Sequence, residues 1–90
     1  MLHIIKEVST LSDYVLLVGF EDGAYRKFDL KKLMNENSNF EILKQTKGLY
    51  ESAKVDKGGY GIIWNDELDI SGEGIYEKGI PCMNPRSENQ

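Results

Sequence analysis

A seven-residue run at 14–20, Tyr-Val-Leu-Leu-Val-Gly-Phe, leads into Glu21-Asp22-Gly23 and then Ala-Tyr-Arg-Lys-Phe at 24–28. β-Branched and aromatic residues on both sides of a short Asp-Gly turn specify a β-hairpin. If Gly23 takes the left-handed position that closes a three-residue loop, Phe20 faces Ala24, Val18 faces Arg26 and Leu16 faces Phe28. A two-residue loop would pair Val18 with Lys27. Register decides which side chains are buried, and the three-residue loop gathers Tyr14, Leu16, Val18, Phe20 and Phe28 on one face. Val15 and Leu17 make the other face apolar too. A strand apolar on both sides belongs inside a sheet, covered by a helix, a neighbouring sheet or a second subunit.

The rest of the chain reads as short elements around that hairpin. Residues 2–8 form an opening strand and Leu11-Ser12-Asp13 a turn. Asp29 precedes Leu30-Lys31-Lys32-Leu33-Met34, where its carboxylate can accept from the first free amides of a short helix. The polar stretch 35–39 ends that helix, and Phe40, Ile42 and Leu43 point to a second one that stops at Gly48. A second hairpin is expected over 49–64, with strands 49–55 and 60–64 around Asp56-Lys57-Gly58-Gly59. A four-residue loop sets Val55 opposite Tyr60 and Ala53 opposite Ile62, sending Tyr60, Ile62 and Trp64 into the core. Asn65-Asp66-Glu67 is a turn and Leu68-Asp69-Ile70 is extended. Ser71 caps a last helix that stops near Gly79, Pro81 prevents its extension, and 81–90 reads as a polar tail. The expected architecture is α+β: two antiparallel hairpins at 14–28 and 49–64 plus an N-terminal strand, packed with two or three short helices, as one domain over 1–80.

At 90 residues there is room for one core, with a thin stability margin that self-association would widen. Its 40% hydrophobic content excludes a disordered chain. A net charge of -4 argues against a nucleic-acid backbone as direct partner, since binding there needs clustered lysine and arginine. The lone Cys82 has no internal disulfide partner, and no apolar run resembles a signal peptide or membrane span, so a cytoplasmic protein with no membrane partner is expected.

Chemistry is harder to find. Gly58-Gly59-Tyr60-Gly61 lacks the spacing of a phosphate-binding loop and reads as a turn. Aligning Gly72 with the glycine of a calcium loop puts Glu67, Asp69 and Ser71 at ligand positions, but Lys78 stands where the bidentate glutamate is required. His3 and Cys82 are single residues of their types, too few for a zinc cluster within one chain. The serines have no histidine near in sequence, and no spacing fixes a working pair such as Asp66 with Asp69. No catalytic, cofactor-binding or metal-binding residue is therefore assigned, and a non-enzymatic protein without a cofactor is expected. Tryptophan anchors both cores and interfaces. Trp64, at a strand end before a polar turn, is read chiefly as core, yet with Asp66, Glu67 and Asp69 it makes up the candidate interaction surface.

Residues 14–20, the Phe20-x-Asp22-Gly23 turn, Phe28-Asp29-Leu30, Tyr50, Val55-Asp56, and Trp64 through Asp69-Ile70-Ser71 together resemble the bacterial family called domain of unknown function 2442. The likeness covers about residues 2–78 and rests on folding residues, with Tyr50 standing where phenylalanine is commoner. It implies a compact α+β arrangement, elsewhere joined to a helix-turn-helix that this sequence lacks, and often encoded beside small genes in loci of toxin–antitoxin type. The expected function is a protein-interaction module, an antitoxin-like or accessory partner of a small bacterial protein, with a basic partner suited to its acidic charge. The alternatives are a homodimeric regulator that binds a small ligand or metal, and a small enzyme. Two-sided apolar strands also lead us to expect a homo-oligomer.

Overall fold

In the computed structural model, which describes residues 2–87, the first hairpin forms with the three-residue loop. Strand β2 (Val15–Phe20) runs antiparallel to β3 (Tyr25–Asp29), with Val18 opposite Arg26 and Leu16 opposite Phe28. Gly23 has φ +94°, and the Phe20 amide donates to the Ala24 carbonyl at 2.9 Å. β2 is an inner strand: β1 (Ile5–Leu11) pairs on one side, β3 on the other, and β7 (Ile80–Cys82) closes the order β1-β2-β3-β7. The opening strand thus starts at Ile5 and runs three residues past the expected end at Val8.

A second sheet, β4-β5-β6, comprises β4 (Lys54–Val55), β5 (Gly61–Asn65) and β6 (Leu68–Ser71). Three short helices complete the fold: α1 (Lys31–Glu36), α2 (Ile42–Gln45) and α3 (Gly72–Lys78). Asp29 does act at the start of α1, its Oδ1 accepting from the Lys31 amide at 2.8 Å. The Ser71 hydroxyl accepts from Glu73 and Gly74 at the start of α3, and Gly79 ends it.

One hydrophobic cluster joins both sheets. Leu16, Val18 and Phe20 from the first meet Ile62, Trp64 and Leu68 from the second, with Leu30, Met34, Phe40, Leu43, Tyr50 and Ile75 between them. Each such side chain contributes about 1.5–3 kcal/mol by leaving water. Tyr50 binds the parts together. Its hydroxyl lies 2.6 Å from the Leu11 carbonyl and 3.0 Å from that of Val15, and its own carbonyl accepts from the Trp64 indole at 3.1 Å.

Three expectations are corrected. The second hairpin pairs Val55 with Ile62 and Lys54 with Ile63, two residues away from the expected register. Gly58 and Gly59, at φ +84° and +80°, turn the chain in a 3-10 segment (Lys57–Gly59), so the loop is longer and Tyr60 points outward, 58% exposed. Gly59 is required twice over, because a β-carbon there would also stand 2.7 Å from the Ile5 carbonyl oxygen. Next, 49–55 is mostly not a strand: Tyr50–Ser52 is a 3-10 turn, and only Lys54–Val55 pairs. That turn lets the Tyr50 ring drop into the core while its hydroxyl reaches the β1–β2 connection.

The third correction concerns the tail. Pro81 and Cys82 belong to β7, which pairs Ile80 with Lys27 and Cys82 with Tyr25. The Phe20–Ala24 bond sets the alternation in β3, so Tyr25 and Lys27 turn their main-chain groups toward β7 while Arg26, opposite Pro81, turns toward β2. Proline therefore occupies a position where no amide is needed. Residues 88–90, the end of the expected tail, lie outside the described residues.

Candidate functional site

The β5–β6 turn carries the acidic residues singled out from sequence. Asn65 Oδ1 accepts from the Glu67 amide at 2.9 Å, and a register shift between Ile63 and Asn65 tightens the connection. Asp66, Glu67 and Asp69 are exposed, and among the described residues no cation pairs with them. Trp64 is not part of that surface. It is 6% exposed, its indole is hydrogen-bonded to Tyr50, and its ring meets Phe40 edge-on at 6.3 Å. These contacts anchor the end of β5 in the core beneath the turn. Beside the turn runs a groove of about 310 Å³ lined by Ser38, Asn39, Ile42, Asn65, Glu67 and Leu68. Ile42, 40% exposed, supplies apolar surface next to the carboxylates.

A second cluster was not legible in the sequence. His3 Nδ1 lies 2.9 Å from Glu73 Oε1, and the His3 amide donates to the other oxygen of the same carboxylate. The imidazole stacks on Tyr76 at 3.5 Å between centroids, while the Arg26 guanidinium carbon lies 4.2 Å from the same ring. Two groups so close to one ring centre must occupy opposite faces, so Tyr76 is sandwiched. Its hydroxyl donates to Asp22 at 3.0 Å. The His3 contacts hold Glu73 below the usual carboxylate range. This arrangement straps the segment before β1 onto α3 across a sequence separation that no local pattern announces.

A third cluster fastens the segment after β7. Glu7 accepts from the Tyr25 hydroxyl and the Arg86 guanidinium, and Arg86 also donates to the Tyr25 oxygen at 3.2 Å. The Tyr25 hydrogen bond, then Arg86, keeps Glu7 below its ordinary value, while the bond to Glu7, and then burial, raises Tyr25. Gly19 makes room for the ring.

The β1–β2 turn borders a polar cleft of about 460 Å³ reaching Lys44, Lys47 and Tyr50. Asp13 and Tyr14 both sit in left-handed backbone, φ +63° and +59°, which for a bulky residue is strained. The strain is held by Lys31, which contacts the Asp13 carboxylate at 3.1 Å and its carbonyl at 2.6 Å. The Leu30 amide, 2.9 Å from the Tyr14 carbonyl, fixes the other side. Burial pushes Tyr50 up to about 12.

These features define a small two-sheet α+β domain with an acidic hairpin end, in which His3 and Arg86 fasten the segments before β1 and after β7. A family model described as protein of unknown function (DUF2442) matches residues 5–81, and the chain belongs to that family. No curated protein and no solved structure matches the chain. Among the described residues, no helix is long and apolar enough to cross a membrane.

Proposed function

We propose that the chain is a non-enzymatic protein-interaction module whose acidic hairpin end engages a basic segment of a small partner protein. The observation that carries this reading is the position of Asp66, Glu67 and Asp69, exposed and, among the described residues, unpaired with any cation, on a turn above Trp64 and beside the Ile42 groove. Opposite charge steers the encounter and sets orientation, while the groove receives an apolar anchor from the partner. The family resemblance supports an antitoxin-like or accessory role in the bacterial cytoplasm. The test is capture from the native cell with tagged wild type and with the triple variant Asp66→Lys, Glu67→Lys, Asp69→Lys. A basic protein retained by wild type, salt-sensitive and lost with the variant, supports the reading. Equal retention by both, or no specific partner, overturns it.

A second reading is a small-ligand regulator. The cleft bordered by Thr10, Ser12, Thr46, Lys44 and Lys47 supports it, because hydroxyls and ammonium groups suit a small polar ligand, with the Asp13 and Glu51 carboxylates on the same wall. A melting temperature that rises with phosphate or carboxylate metabolites, and less so in Lys44→Ala/Lys47→Ala, would favour it. A flat response removes it.

A further inference from the structure

β7 covers only the first part of β3, its pairing ending at Lys27 opposite Ile80. Beyond that point the chain preceding β7 is helical in α3, so among the described residues nothing pairs with the main chain of Asp29 on that side. The alternation that turns Tyr25 and Lys27 toward β7 turns the main-chain N–H and carbonyl of Asp29 the same way, onto an open sheet edge. Such an edge is a template for another strand.

Along this edge lies a cleft of about 600 Å³ between β3, α1 and the start of β7. Phe28, Leu33 and Ile80 give it an apolar lining, and Ile80 is 69% exposed. Lys27, Lys32 and Lys78 stand on its rim, and among the described residues none of them has an ion-pair partner. The rim holds two carboxylates. Asp29 is already taken by Lys31 at 3.0 Å, which leaves Glu36 alone against three ammonium groups. On a chain of net charge -4 this is a local reversal of sign.

We propose that this cleft binds an extended acidic peptide segment carrying an apolar anchor residue. The main chain of the segment adds to the sheet at Asp29, its anchor enters between Phe28, Leu33 and Ile80, and its carboxylates meet the three lysines. A volume of this size falls within the range of small-ligand clefts, and the open main-chain groups favour a peptide over another anion. The site is separate from the acidic turn and would take the opposite class of segment.

The test is selection of a random displayed-peptide library against the full chain. Enriched sequences should carry aspartate or glutamate flanking an apolar residue. A synthetic representative should bind at least about tenfold more weakly to Lys27→Glu/Lys32→Glu/Lys78→Glu and to Ile80→Asp, and should weaken with salt. These side chains lie at the surface, and an unchanged melting temperature confirms that the variants fold; Lys78→Glu alone serves if the triple variant does not. No acidic, apolar-anchored class among the enriched peptides, or such a class whose binding the variants leave unchanged, overturns the proposal. A basic class sensitive only to Asp66, Glu67 and Asp69 would support the proposed function and still refute this site.

Discussion

Replacing Gly19 by alanine tests how the segment after β7 is fastened to the sheet. A β-carbon at Gly19 would stand 2.5 Å from Cε2 and 2.8 Å from Cζ of Tyr25, which is 2% exposed. Ordinary carbon contact needs about 3.5–4.0 Å, so the ring must retreat by about 1 Å. Its hydroxyl is then pulled off Glu7, and the Arg86 contact shared by both is lost. Overpacking costs about 1–3 kcal/mol and a hydrogen bond to a charged group about 1.5–3 kcal/mol. Alanine in a strand returns about 0.5–1 kcal/mol relative to glycine. The net expected loss is about 1.5–5.5 kcal/mol, which in a domain of this size lowers the melting temperature by at least about 6 °C. Urea denaturation of wild type, Gly19→Ala, Tyr25→Ala and the double variant forms a thermodynamic cycle. In the Tyr25→Ala background only the Glu7 side chain, whose Cγ stands 3.0 Å from the methyl position, has to shift by a few tenths of an ångström, so the cost of Gly19→Ala should fall to well under half its wild-type value. An equal loss in both backgrounds would show that the Tyr25 ring is not what the methyl meets, and would refute the reasoning.

Three further outcomes follow from the same geometry. Trp64→Phe should cost about 2–3 kcal/mol in urea denaturation, since it leaves the Tyr50 carbonyl without its indole donor and opens space beside Phe40; a loss under about 0.5 kcal/mol would contradict its anchoring role. Glu7 and Glu73 are both held below the ordinary value of 4.5, so the stability they add is full above that value and fades as pH falls through their lowered values. Denaturation midpoints should drop on acidification below about pH 4.5 and drop less in Glu7→Gln; a profile flat to about pH 3 would contradict this. Tyr50, raised to about 12, stays neutral in the fold while an unfolded tyrosine ionises near 10. Between about pH 10 and 12 the protein should lose about 2–3 kcal/mol, with Tyr50, and with it Tyr25, which its bond to Glu7 also raises, absorbing as phenolate only after the others; a single early transition for all five would count against a buried hydroxyl.

The first hairpin was legible because everything that decides it is local: the alternation over 14–20 and a glycine where the loop needs positive φ. The caps at Asp29 and Ser71 were legible for the same reason. The second hairpin was misread by two residues because Gly58 and Gly59 both turn left-handed, and Gly59 does so against Ile5 of another sheet. No local pattern reports that contact. β7 was hidden by Pro81, whose tolerance depends on which way Arg26 turns its amide, a fact of the neighbouring strand. In the candidate site, the acidic turn could be read from Asp66, Glu67 and Asp69, whereas the lysine rim could not. Lys27, Lys32 and Lys78 lie on three different elements and look in sequence like scattered solvated charge.

The acidic turn acts as an interaction site only if a partner touches it. Amide shift mapping of the isotope-labelled chain, titrated with the basic protein it captures, reads this out residue by residue. Shifts concentrated at 38–42 and 65–69, and abolished by the lysine variants of Asp66, Glu67 and Asp69, are the predicted result. Shifts centred elsewhere while the acidic turn stays silent would contradict it.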